Sequence, residues 1–311
     1  MGTKWVRASA ALVLLLFALI AGCGDEDEEA GSVQPQGTET QLTLGTKDFT
    51  EEFIVGELYK QALAAKSYKV RLRKNIGPTE VIDKELTSGA IDAYPEYLGV
   101  ALTVAARRED AGDSAGETYR LAKEFYAQRG QALSEQTPFE NVDAIATTQF
   151  FAQQRGLRSL SDLRKLRSFT LGARPEFAER VQGLKGLQEV YGLTNATFKP
   201  IAIGAQYRAL DEGDIDAANV FTTDGQLASG DYEVLEDPKR LFGFQHVALV
   251  IDEDKLERLG GDRFMRVINA VNRRLTTSAM IEMNRAVEVD GQDEALVAER
   301  FLTEVGLLGG E

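Results

Sequence analysis

The chain is short of the side chains on which most catalysis and cross-linking rely. Its 311 residues include one cysteine, one histidine, one tryptophan and seven prolines. The lone Cys23 excludes an internal disulfide framework. His246 is the only imidazole, and no G-x-S-x-G, H-E-x-x-H, P-loop or G-x-G-x-x-G pattern occurs. The chain is therefore predicted not to be an enzyme and to carry no cofactor or metal. Positive charge is also in deficit: 35 basic residues stand against 49 acidic, a net charge of -14. Such a surface repels nucleic acid and anionic lipid headgroups. No apolar run is long enough to span a bilayer comfortably, residues 8–20 being the nearest to it. What remains is ordinary globular composition, 43% hydrophobic and 27% charged, with length enough for two domains.

The N-terminus carries the most specific local signal. Lys4 and Arg7 precede the apolar run, and Leu19-Ile20-Ala21-Gly22 leads into Cys23. This segment resembles a bacterial lipobox, which implies a signal peptide over 1–22, cleavage before Cys23 and lipidation of that residue. A plain signal peptide or an uncleaved anchor is the alternative. Residues 23–41 follow as a tether, opening on the acidic block Asp25 to Glu29 and continuing in Gly, Ser, Pro, Gln and Thr. That composition cannot bury a core.

The stretch 79–101 organises the remainder. Val81, Ile82 and Leu86 are spaced as on a helix, Gly89 stops it, Ile91–Tyr94 reads as a short buried strand, and Pro95 begins something new. Part of it recurs. Leu86-x-x-Gly89-x-Ile91-Asp92-Ala93 matches Leu210-x-x-Gly213-x-Ile215-Asp216-Ala217, 124 residues later. Two such units are either ordinary αβ connections or the marks of two similar lobes. A ligand between lobes would meet Tyr94 or Tyr97 from one and Phe221 from the other.

Other segments read as strands at 42–46, 69–73, 143–147, 169–173, 198–203, 232–235 and 247–251. Thr50 and Thr79 read as helix N-caps, and three helices close the chain over 263–275, 278–289 and 293–305. The alternation predicts an α/β fold of two lobes joined by two crossing strands: 42–143 with 248–311 as lobe one, and 144–247 as lobe two.

Together these segments resemble the substrate-binding proteins of ABC importers for glycine betaine, choline, carnitine and other quaternary amines. The motifs that carry the likeness are Gly45-Thr46-Lys47-Asp48-Phe49-Thr50-Glu51, Gly89-x-Ile91-Asp92-x-Tyr94-Pro95-Glu96-Tyr97-x-Gly99 and Phe221-Thr222-Thr223-Asp224, within roughly 41–308. The resemblance implies a type II periplasmic-binding-protein fold that closes over its ligand. It also implies ABC permease and ATPase partners, a lipid anchor at Cys23 and a place on the extracytoplasmic face of a bacterial cell membrane.

A quaternary ammonium has no N–H to donate, so ring faces hold it by cation–π attraction of about 0.5–2 kcal/mol each. The family's rings come from both lobes, and basic residues hold a betaine's carboxylate. Carried over one position at a time, Tyr97 and Phe221 match cage rings, and Lys47 and Arg180 match carboxylate contacts. Asp143 stands where a cage tyrosine is frequent. There it would attract an ammonium or hydrogen-bond a ligand N–H. Phe244 supplies a further ring, or Gln245 replaces it with an amide. Val100 stands where some members place a hydroxyl. Tyr94 is a ligand contact or core. These departures leave another zwitterion, such as ergothioneine or an amino acid, beside the simple betaines. A sensor or binding module without transport is a third reading.

Overall fold

Residues 40–309 are described in a computed structural model of the chain; the signal segment, Cys23 and nearly all of the tether lie outside them. Ten strands run in chain order: β1 (Gln41–Gly45), β2 (Lys69–Arg73), β3 (Ala93–Tyr97), β4 (Gln131–Leu133), β5 (Asp143–Thr148), β6 (Phe169–Ala173), β7 (Ala196–Pro200), β8 (Ala217–Phe221), β9 (Tyr232–Leu235) and β10 (Val247–Asp252). They form two sheets of like topology, ordered β2-β1-β3-β10-β4 and β7-β6-β8-β5-β9. In each, three parallel strands are joined by helical crossovers, and one antiparallel strand, β10 or β5, lies against the third. The architecture is α/β and two-lobed. The chain crosses between sheets before Asp143 and again before Val247.

Both sheets are buried on both faces, which is why their central strands lack polar alternation. Val247, Leu249 and Ile251 join one apolar cluster, while Ala248 and Val250 join the cluster on the opposite face. The second sheet divides the same way, with Ile145 on one side and Ala144 and Ala146 on the other.

The repeated motif has a shared structural task. Asp92 accepts from the Thr43 amide at 2.6 Å, and Asp216 accepts from the Thr170 amide at 2.7 Å. Each aspartate thereby ties the third parallel strand of its sheet to the first. Gly89 and Gly213 both take φ +74°, the left-handed turn that lets the chain leave a helix for a strand. A Cβ on Gly45 would lie 2.7 Å from Ile91 Cδ1, and one on Gly172 would lie 2.6 Å from Ile215 Cδ1. The duplication therefore reaches back to β1 and β6, which the eight-residue pattern alone did not reveal.

Several local expectations are corrected. The strand after Gly89 is Ala93–Tyr97 and contains Pro95 rather than ending before it. Pro95 lies opposite Leu249, whose amide and carbonyl are both bonded to Ser134 instead, so the missing N–H costs no ladder bond. Thr50 and Thr79 are the first residues of their helices, not caps. The Thr79 hydroxyl donates to Glu96 at 3.0 Å. The strand expected at 198–203 is Ala196–Pro200, and β4 and the short helices Gln149–Arg155 and Glu253–Arg258 were not anticipated.

The closing helices explain the first one. Thr50–Ala64 is buried nearly all round, because the helices Asp262–Asn272, Thr277–Glu288 and Glu294–Glu304 cover it. Thr277–Glu288 also reaches the second half of the molecule. Its Asn284 donates to the Thr223 carbonyl at 2.9 Å, and its Glu288 accepts from the Gly225 amide at 3.1 Å. Gly225 is needed there, since a Cβ would run into the Arg285 backbone.

Candidate ligand-binding site

The duplication also sets the geometry between the sheets. Lys47 follows Gly45 by two residues, as Arg174 follows Gly172, while Tyr97 ends β3 as Phe221 ends β8. In each half the cation lies over the ring. Lys47 Nζ is 4.7 Å from the Tyr97 centroid, and the Arg174 guanidinium carbon is 5.1 Å from that of Phe221. Phe49, from the turn after β1, stands between the two rings. It stacks on Phe221 at 5.2 Å and 22°, and tilts against Tyr97 at 5.9 Å. The row Tyr97–Phe49–Phe221 forms one wall of a cavity also lined by Lys47, Thr79, Val100, Asn141, Asp143, Arg174, Glu176, Arg180, Ile203 and Gln245.

Six residues singled out from sequence line this cavity: Lys47, Tyr97, Asp143, Arg180, Phe221 and Gln245. Two do not. Tyr94 lies three residues from Tyr97 along a strand, so it faces the opposite side of the sheet. It is fully buried in that core and shares a 3.2 Å hydrogen bond with the Tyr126 hydroxyl. Phe244 is not among the lining residues, and its carbonyl packs against Gly99. A Cβ on Gly99 would lie 2.6 Å from both the Phe244 carbonyl and Gln245 Nε2. That close approach accounts for the glycine and leaves Gln245 as the lining side chain.

The charged groups differ more from expectation, because each has a partner within the protein. Lys47 is ion-paired with Glu96, which is fully buried and also accepts from Thr79. Asp143 is not free to attract a ligand ammonium. Arg174 spans both its oxygens, at 2.7 and 2.8 Å, and Asn219 adds a bond at 2.9 Å. Burial opposes the Asp143 charge, but Arg174 and Asn219 hold its pKa below the usual carboxylate range. Arg174 also pairs with Glu176 at 3.1 Å and donates to Asn219. Arg180 reaches across to Glu80 of the first lobe in a bidentate pair at 3.1 and 2.8 Å. The Gln245 amide is committed as well, accepting from the Val100 amide at 3.1 Å and donating to the Phe242 carbonyl and to Gln182.

Behind the rings sits a buried carboxylate, Glu51. One oxygen accepts from the Tyr97 hydroxyl at 2.7 Å and from Asn141 at 2.9 Å. The other accepts from Thr223 at 2.6 Å and from Asn284 at 2.8 Å. Four segments of the chain thus meet on one side chain. Burial, then the nearby Glu51 charge, pushes the Tyr97 hydroxyl well above its ordinary pKa and keeps it a donor. Neighbouring Glu52 is pushed up to about 8 by burial, partly offset by Lys47.

Phe49, Asn141, Arg174, Glu176 and Ile203 escaped sequence reading. For Arg174 the signal was present: it lies 127 residues after Lys47, the same spacing that separates Gly45 from Gly172.

Residues 40–304 match the family model described as the substrate binding domain of an ABC-type glycine betaine transport system. A glycine-betaine-binding protein of Pseudomonas aeruginosa is 30% identical over 279 residues, 86% of this chain and 88% of that one. An ergothioneine transport permease/ergothioneine binding protein of Helicobacter pylori is 28% identical over 273 residues, covering 86% of this chain and 48% of that longer one. The crystal structure of a glycine betaine/carnitine/choline ABC transporter superposes with a TM-score of 0.70 at 24% identity, over 86% of this chain and all of that one.

Proposed function

Since the chain belongs to the family of substrate-binding domains of ABC-type glycine betaine transport systems, we propose that it captures a betaine-type quaternary amine between its lobes and delivers it to a membrane permease. The observation that carries this reading is the ring row drawn from both halves: Tyr97 and Phe49 from one, Phe221 from the other. Methyl groups on a quaternary nitrogen pack against such faces, and the rings' negative potential favours the cation. Arg180 and Lys47, at the cavity wall, are the groups for a ligand carboxylate, each exchanging part of its present partnership for it.

Closure is a hinge motion about the two crossings. Arg180–Glu80 and Thr103–Gln182, the latter at 3.1 Å, are among the contacts between lobes that closure makes. A chain lipidated at Cys23 would work from the extracytoplasmic face of the membrane; among the described residues no helix is long and apolar enough to cross it. No catalytic step is assigned to the site.

Thermal unfolding with a ligand panel tests the reading. A ligand that binds only the folded state stabilises it by about 2.7 kcal/mol at a hundred times its Kd. The panel is glycine betaine, choline, carnitine, proline betaine, ergothioneine and common amino acids. A raised midpoint with a trimethylammonium compound is expected. A shift with amino acids alone would remove the quaternary-amine assignment and leave the fold.

A further inference from the structure

We infer that the ligand carries a hydrogen-bond donor, an N–H or O–H, beside its quaternary centre, and that Asn141 reads it through Oδ1. The inference rests on the betaine-type reading and narrows it. Two independent observations lead here.

The first is an orphaned acceptor. Asn141 is buried, lines the cavity, and its Oδ1 has no hydrogen-bond partner. Among the described residues several buried side-chain atoms are unpartnered, but this is the one on a residue lining the cavity between the lobes. Its orientation is fixed by chemistry. Asn141 Nδ2 donates to Glu51 Oε1, which also takes the Tyr97 hydroxyl, and Glu51 Oε2 takes Thr223 and Asn284. Turning the amide over would set oxygen against oxygen at Glu51. A buried acceptor left without a donor is unfavourable, and a ligand donor at this wall removes that penalty.

The second is that the ring faces and charges are already engaged. Lys47 lies over Tyr97 and Arg174 over Phe221, while the Phe221 ring also stacks on Phe49. A trimethylammonium group alone would compete with the protein's own cations for those rings. With Gln245 and Asp143 also bonded internally, Asn141 Oδ1 is a buried, uncommitted acceptor at this wall that can discriminate one quaternary amine from another.

The experiment is isothermal titration calorimetry of the full-length protein with paired ligands, one member with the donor and one without. One pair is carnitine and γ-butyrobetaine, which lacks the hydroxyl. The other is ergothioneine and its ring-N-methylated, donorless derivative. In at least one pair the donor-bearing member should bind tenfold tighter or more. In Asn141→Leu the gap should shrink below threefold; because it is a ratio within one variant, an overall loss of stability cancels. If that variant does not fold, Asn141→Ala gives the same comparison. Equal affinities within both pairs, or a gap that survives both variants, would overturn the inference while leaving the betaine-type reading in place. Absence of heat from every trimethylammonium compound would remove the reading and the inference together.

Discussion

Asp143 and Arg174 are each almost dry, and each carries the other's countercharge. Breaking such a buried pair typically costs about 3–5 kcal/mol, whereas replacing both by apolar groups is far milder; without Asp143 the buried Arg174 keeps only the less buried Glu176 as countercharge. Asp143→Leu should therefore lower stability in urea unfolding by roughly 3 kcal/mol, and adding Arg174→Met should restore most of it. A double variant as unstable as the single one would show that the pair's charges are not what binds it. Phe221→Ala should weaken a trimethylammonium ligand at least tenfold, equivalent to about 1.4 kcal/mol, because it removes a ring and Arg174's platform at once; unchanged affinity by calorimetry would take that ring out of the site. At this scale sequence was a good guide to position and a poor one to partnership. Lys47, Tyr97 and Phe221 could be placed because the motifs around them resemble those of the family. That Lys47 meets Glu96, or Arg180 meets Glu80 a hundred residues away, depends on how two lobes come together, which no local spacing encodes. Tyr94 stayed open between ligand contact and core until the strand was seen to run on through Tyr97, because an odd step of three along one strand puts the two rings on opposite faces.

Among the elements, the helix Thr277–Glu288 has an uncommon task, because it belongs to the first lobe's core through Met280 and Met283 and still bonds the second lobe's turn at Thr223 and Gly225. Gly225→Ala would press a methyl group into the Arg285 backbone, which cannot swing aside as a side chain does. A loss of about 1–3 kcal/mol is expected, the usual range for overpacking, with Gly230→Ala as a poor control because of its positive φ and Gly116→Ala, which meets nothing nearby, as a sound one. Equal stability of Gly225→Ala and Gly116→Ala would mean that the helix is loosely seated. The repeat explains why these elements were legible at all. Glycine at φ +74° and an aspartate bonding the neighbouring strand are demands of a β–α–β turn, and they recur because both lobes make it. Pro95 misled because its tolerance depends on Ser134 having taken the bonds of Leu249.

For the molecule as a whole, three carboxylates near the junction of the lobes give a pH signature. Burial pushes Glu52 and Glu288 up to about 8 and Asp224 up to about 7. Each binds its proton more tightly folded than unfolded, so the stability it contributes is full below the ordinary carboxylate range and is lost as pH rises through about 7–8. One such group is worth up to about 1.4 kcal/mol per pH unit in that window. Carboxylates held low by cations, Asp143 and Glu80 among them, act in the opposite sense and only in acid. The thermal midpoint should therefore fall between pH 5.5 and 9, and Glu288→Gln should flatten the fall. A midpoint rising over that range would show these groups to be ionised in the fold.

The Phe49–Phe221 stack has an optical consequence. The chain has a single tryptophan, Trp5, which lies outside the described residues. Trp5→Phe combined with Phe49→Trp leaves one indole, placed where the two lobes touch. Opening would wet that indole and a bound ligand would dry it, so the colour and lifetime of its emission would register each capture as it happens. The protein would then report its own occupancy, against a background free of other indoles.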